Sequence, residues 1–291
     1  MKSSQAAFDL IVEEEVTNEA YYTHHYQHFD WPKGQSGPTV GVGYDCGYVT
    51  QDELRTDWAG IATDDAIAAM LPACGKRAGE AEAFVNAHRA SVTITWDQAI
   101  AEFRDREMPK WEARVAAALP NTDQLSPDSF GALVSLAYNR GASFNAPGAR
   151  ETEMRAIRDH MAARDFDKIP AEFLAMRRLW PPKGSDLWNR REHEAALFQR
   201  GLAAPAATAG GGPAQAAGPS GGTAAPVVHG TRWVQDSLNR LGANPPLTVD
   251  GNIGPATRAA IVAFQTRAGI TADGDAGPTT MAKIEQALAA G

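Results

Sequence analysis

Residues 39–43 read Thr39-Val40-Gly41-Val42-Gly43, and this short run decides the fold class. β-Branched residues favour extended backbone, and glycines inside such a run mark a close backbone approach. One short strand is expected here, continuing through Tyr44 to Asp45. Side chains alternate along a strand, which puts Thr39, Gly41, Gly43 and Asp45 on one side. The run sits in a stretch rich in aromatics, Gly and Pro, from Tyr21 to Tyr48. Helical spacing holds on both sides of that stretch. Phe8, Leu10 and Ile11 take helical positions on a first helix that also carries Glu15. The firmest later helical patterns are residues 96–119, 127–139, 151–164, 169–179 and 190–200. Many helices with one small early sheet predict an α+β fold that is mainly α.

The chain has 291 residues, which suggests two domains. Hydrophobic residues at 44% and charged residues at 21% are the values of an ordinary globular protein. No apolar run reaches the ~18 residues of a membrane span, so no membrane insertion is expected. The first residues, MKSSQAAFDLIVEEE, contain no apolar core, so no secretory signal peptide is expected. The protein would be made in the cytoplasm, and if its substrate lies outside, a route without a signal peptide, such as a holin or a dedicated secretion machine, must deliver it. A net charge of −8 gives no attraction to phosphates, which argues against nucleic acid as a partner. Two cysteines, Cys46 and Cys74, are too few for a disulfide scaffold or a cysteine zinc site. Reduced, packed thiols are favoured over a disulfide formed after export.

Composition also divides the chain. Residues 203–228 read AAPAATAGGGPAQAAGPSGGTAAPVV and carry no charge. Such a segment buries too little surface to offset its ordering entropy, so a flexible linker is expected, spanning about 25–30 Å. Residues 1–202 form one expected domain and residues 229–291 another. The second holds five basic and five acidic residues, so it is neutral. Helical patterns cover residues 231–242, 255–268 and 278–289. Two similar turns precede the later helices, Asp250-Gly251-Asn252-Ile253-Gly254-Pro255 and Asp273-Gly274-Asp275-Ala276-Gly277-Pro278, 23 residues apart. This is an internal repeat of an Asp-Gly turn followed by Pro at a helix start.

From Trp233 to Leu288 the pattern resembles the three-helix peptidoglycan-binding domain of wall hydrolases. The matching residues include Val234-Gln235, Leu241-Gly242, Val249-Asp250-Gly251, Gly254-Pro255, Thr257, Phe264-Gln265, Asp273-Gly274 and Thr279. The resemblance implies peptidoglycan as ligand, with its stem peptide as the expected contact.

Three segments of residues 1–202 resemble phage-type lysozymes, glycoside hydrolase family 24. The first joins Leu10-Ile11-Val12-Glu13-Glu14-Glu15, Tyr22 and the Thr39 run. The second is Ala132-Leu133-Val134-Ser135-Leu136-Ala137-Tyr138-Asn139-Arg140-Gly141. The third takes in Trp180, Asn189-Arg190-Arg191-Glu192 and Glu194-Ala195-Ala196-Leu197-Phe198. The resemblance implies a lysozyme-like catalytic domain in which Glu15 is the acid, with Tyr22 seven residues on. It implies a buried central helix that brings Tyr138 and Asn139 to the cleft, and a closing helix whose Arg190 pairs with the acid. Cleaving a β-1,4 glycosidic bond needs a proton on the leaving oxygen and a second group to manage water or the cationic sugar. Glu15, Thr39 and Asp45 are the expected catalytic residues. Tyr22, Tyr138, Asn139 and Arg190 are the expected substrate contacts.

One departure is important. The family's second carboxylate falls nine residues after the acid, where this chain has His24, and the loop before Thr39 is nine residues longer. Asp45 and Asp30 are the candidates to replace it, with Asp45 preferred. His24 and His28 stand four apart, but with no HExxH pattern a metal site is not expected. No cofactor is expected, and the chain is expected to be a monomer. The rival functions are a lytic transglycosylase on the same bond, a non-catalytic wall-binding protein, and a wall amidase or peptidase.

Overall fold

The computed structural model describes residues 1–180, 185–203, 231–249, 254–272, 274, 276 and 278–290. Two helices open the chain, α1 (Gln5–Val16) and α2 (Glu19–His25). Strands β1 (Thr39–Val40) and β2 (Tyr44–Asp45) follow. Then come α3 (Gln51–Trp58), α4 (Asp64–Met70), α5 (Gly79–His88) and α6 (Trp96–Glu102). A π-helix, Phe103–Glu107, links α6 to α7 (Met108–Ala118). Next are α8 (Pro127–Arg140), α9 (Thr152–Ala163), α10 (Ile169–Met176) and α11 (Asp186–Ala203). Helices α12 (Thr231–Arg240), α13 (Pro255–Arg267) and α14 (Pro278–Ala290) complete it. The fold is α+β and mainly α. Among the described residues, no helix is long and apolar enough to cross a membrane. The expected linker, residues 203–228, lies outside the described residues except Ala203, which ends α11.

Side chains written at the helix starts set several of these boundaries. Thr50 and Glu53 form a reciprocal capping box at α3, and Thr95 and Gln98 do the same at α6. Ser126 caps α8, whose first helical residue is Pro127. The chain divides into two compact units, Ile11–Arg114 and Met1–Leu10 with Val115–Gly291.

In the unit Ile11–Arg114, Tyr22, Phe29, Val42, Leu54, Trp58, Met70 and Phe103 are fully buried. The expected single strand is instead a hairpin. Gly41 and Gly43 have φ of +61° and +77°, a left-handed backbone that turns the chain between β1 and β2. Thr39 pairs with Asp45 and Val40 with Tyr44. Gly41 also lies close to the Trp58 ring, which a Cβ would meet at 3.3 Å. Asp30 bridges to the free side of Thr39, with both backbone hydrogen bonds made, at 2.8 and 2.9 Å.

In the other unit, α8 is buried from residue 129 to residue 137. It packs along α11, which packs on α10, which packs on α9. Small residues permit the close approach. A Cβ at Gly131 would lie 2.2 Å from the Ala7 Cβ, and one at Gly201 would lie 2.2 Å from both Ser126 Oγ and Ser129 Oγ. Ser129 Oγ donates to Phe198 O at 2.8 Å, tying α8 to α11 through a buried hydrogen bond.

Residues 231–290 have a core of their own, formed by Val234, Leu238, Leu247, Ile261, Phe264, Ala276, Met281 and Ile284. Two matching hydrogen bonds fasten it. Gln235 Nε2 donates to Thr257 Oγ1, and Gln265 Nε2 to Thr280 Oγ1, each at 3.0 Å and buried. Each bond runs from one helix to the first turn of the next. Gly274 N also donates to Gln265 Oε1 at 2.9 Å. Asn239 holds both backbone groups of Leu247. The repeat legible in the sequence is thus a repeat of fastenings. Its turn residues 250–253, 273, 275 and 277 lie outside the described residues.

Candidate functional site

Glu15 is the penultimate residue of α1 and is partly buried, as are Glu13 and Glu14. The helix ends beyond it where Thr17 takes a left-handed backbone, φ +67°. Asn18 then caps α2 by accepting from Tyr21 N at 2.9 Å. Tyr22 follows on α2, but not as an exposed substrate contact. It is fully buried, its hydroxyl donates to Ile94 O at 2.9 Å, and its ring lies 5.5 Å from Trp96. Burial pushes its phenol pKa well up. Tyr22 fastens α2 to the start of α6.

The exposed side of α2 carries a cluster of rings. His25 lies 4.1 Å from Tyr21 and 4.6 Å from His24. Burial, then the neighbouring His24 and Arg89, lowers the His25 pKa. His28 does not join His24. Its Nδ1 donates to Val92 O at 2.8 Å.

The hairpin aligns Asp30, Thr39 and Asp45 as lateral neighbours, and residues paired across antiparallel strands project to one face. The two carboxylates differ in what holds them. Asp45 Oδ1 accepts from Gly37 N and Gly47 N, both at 2.9 Å, and Oδ2 accepts from Gly37 N at 3.0 Å. One half-buried carboxylate thereby clamps the loop before β1 to the turn after β2. Burial raises the Asp45 pKa, while the Gly37 and Gly47 amides and Arg77 act against the rise. Among the described residues, Asp30 makes one long ion pair, 3.5 Å to Arg89 Nη1, and both side chains keep solvent contact. Thr39 Oγ1 donates to Gly37 O at 3.2 Å. Gly37, Gly47 and Arg89 were not foreseen. The signal for the clamp is the Asp45-Cys46-Gly47 triplet, where Asp accepts from the amide two residues on. Cys46 and Cys74 are free thiols.

The remaining expected residues belong to the second unit. Tyr138 and Asn139 are the first residues of α8 to emerge after its buried run. Arg190, on α11, is 2% exposed. Its Nη2 donates to Ser135 O at 3.2 Å, and its Nε lies 3.3 Å from Glu194 Oε1. Glu194 Oε1 also accepts from Ser135 Oγ at 2.7 Å and Arg191 Nη2 at 2.8 Å. This charged network is buried between α8 and α11, where removing one partner would strand the others. Trp180 lies near two guanidiniums, those of Arg140 at 5.3 Å and Arg191 at 5.5 Å.

Comparison with known proteins assigns one part of the chain. Residues 230–284 match the family described as a putative peptidoglycan binding domain. That span takes in α12, α13 and just over half of α14, with the two Gln–Thr fastenings. That match supports peptidoglycan as the partner of this module. No curated protein matches the chain.

Proposed function

We propose that the chain is a muramidase, a peptidoglycan hydrolase that cleaves the β-1,4 bond between MurNAc and GlcNAc, with Glu15 as general acid. The observation that carries this reading is the alignment of Asp30, Thr39 and Asp45 across the hairpin. It gathers a hydroxyl and two carboxylates in the unit that also contains Glu15, in a chain whose C-terminal module matches a wall binder. Glu15 gives its proton to the glycosidic oxygen as the bond to the sugar carbon breaks. Water then adds to that carbon and loses its proton to a carboxylate. Asp30 and Thr39 orient the water. Asp45 holds the loop, since its oxygens already accept three amide contacts. Tyr138 and Asn139 contact the glycan. Tyr22 acts indirectly, by fixing α2.

The same engagement of Asp45 supports one second reading, a lytic transglycosylase that needs no water-orienting carboxylate. Mass analysis of purified peptidoglycan after digestion decides between them. Hydrolysis leaves reducing MurNAc ends one water heavier than the anhydro ends of a transglycosylase. If neither product forms, and Glu15→Gln binds wall as the wild type does, the chain is a non-catalytic wall-binding protein.

A further inference from the structure

Away from the hairpin face, the unit Ile11–Arg114 contains a fully buried carboxylate with no hydrogen-bond partner. Glu102 is 0% exposed, and neither of its oxygens has a partner among the described residues. Buried polar atoms are almost always satisfied, and an orphan calls for a water, an ion or a function. Glu102 faces two further carboxylates. One oxygen each from Asp57, Glu102 and Glu107 lie within 4.8 Å of one another. Oxygens bound to one calcium at about 2.4 Å lie at most about 4.8 Å apart, so the three fall within the span that one ion can bridge.

The backbone is built to make this group. Glu102 and Glu107 are five residues apart, a spacing that in an α-helix puts side chains on different faces. The π-helix Phe103–Glu107 closes i to i+5 hydrogen bonds and brings the two residues together. Asp57 comes from α3. Its Oδ2 accepts from Tyr44 Oη at 2.9 Å and from Lys110 Nζ at 2.7 Å. Lys110 Nζ also donates to Glu107 Oε1 at 2.7 Å. Three carboxylates and one ammonium leave a formal charge of −2, the charge that one divalent cation neutralises. The Lys110 side chain is 37% exposed, so the cluster has a path to solvent.

We propose that Asp57, Glu102 and Glu107 form a site for one hard divalent cation, calcium above magnesium, beside Lys110. Carboxylate oxygens are hard donors, and a calcium site tolerates irregular geometry that magnesium does not. The surroundings of Glu102 disfavour its charged form. Burial, Glu107 and Asp57 push its pKa up to about 9, against Lys110 and Arg106. Tyr44 joins the cluster to β2, so occupancy stiffens the strand that carries Asp45. The site stands whether or not the chain cleaves glycans.

The test is thermal unfolding of the full chain, stripped with EDTA and titrated with calcium chloride or magnesium chloride. Calcium should raise the midpoint by roughly 5 °C at a hundredfold excess over its Kd, and magnesium by less. Glu102→Gln, a neutral isostere, should abolish the response, and Glu107→Gln should do so independently. An absent shift in the wild type, or an undiminished shift in Glu102→Gln or Glu107→Gln, would each overturn the proposal.

Discussion

Asp45 faces Thr39 across the hairpin, and its carboxylate turns to the amides of Gly37 and Gly47. An amide in its place keeps one acceptor and sets an NH2 against a donor. Asp45→Asn should therefore cost about 1–3 kcal/mol of stability, read as a lowered denaturation midpoint. Asp30→Asn loses only a solvent-exposed ion pair with Arg89 and should stay within about 1 kcal/mol of the wild type. On wall digestion the order should reverse once folding is accounted for, with Asp30→Asn the more damaging. A stable but inactive Asp45→Asn would return the water-orienting role to Asp45.

Glu15→Gln keeps the side chain's shape and removes its proton. Digestion of purified wall should fall by at least about 10²–10⁴-fold, with the melting curve and wall binding retained. Glu13→Gln and Glu14→Gln should lose far less. Near-normal digestion by Glu15→Gln would remove this residue from the mechanism.

The isolated 229–291 fragment should pellet with insoluble peptidoglycan and release no sugar, because it has its own core. Its balance of five basic and five acidic residues predicts weak salt dependence. Binding that vanishes at moderate salt would mean charge, rather than shape, holds it to the wall.

Gln265→Leu should test the fastening inside that module. The change removes the hydrogen bonds that Thr280 Oγ1 and Gly274 N make with the Gln265 amide. A loss of about 1–3 kcal/mol is expected for the fragment by urea denaturation. An unchanged midpoint would make the buried amide dispensable.

Glu102 predicts a pH dependence in the presence of EDTA. Its carboxyl ordinarily titrates near 4.5 and in the fold near about 9. Between those values the folded state holds a proton that the unfolded chain has released, so rising pH favours unfolding. The contribution is complete below 4.5 and gone above about 9. Urea denaturation at pH 6, 7 and 8 should show stability falling by about 1.4 kcal/mol per unit. Glu102→Gln should flatten that slope, and an identical slope in the variant would assign it to another group.

The fold class and most helices could be read from the chain, because apolar spacing and caps such as Ser126-Pro127 are local signals. The hairpin could not. Gly41 and Gly43 were visible as interruptions, but composition does not say whether a glycine flattens a strand or reverses it. Thr39 and Asp45 face the same way under either reading, so their alignment does not depend on whether the run is one strand or a hairpin. The π-helix was invisible for a different reason. One wider turn leaves the apolar spacing of residues 96–119 almost unaltered, and only the neighbours of Glu102 reveal it. Tyr22 was placed in register but not in depth, since burial depends on Ile94 and Trp96, more than seventy residues away.

The contact between Ala7 and Gly131 limits how this chain can change. With 2.2 Å between the Ala7 Cβ and the place a second Cβ would occupy, a methyl gained at 131 must be given up at 7. Gly201 sets the same condition on the other flank of α8, against Ser126 and Ser129. Variation along α8 is therefore a joint property of three helices. Positions 7 and 131 can drift only as a pair, and related chains should trade size between them.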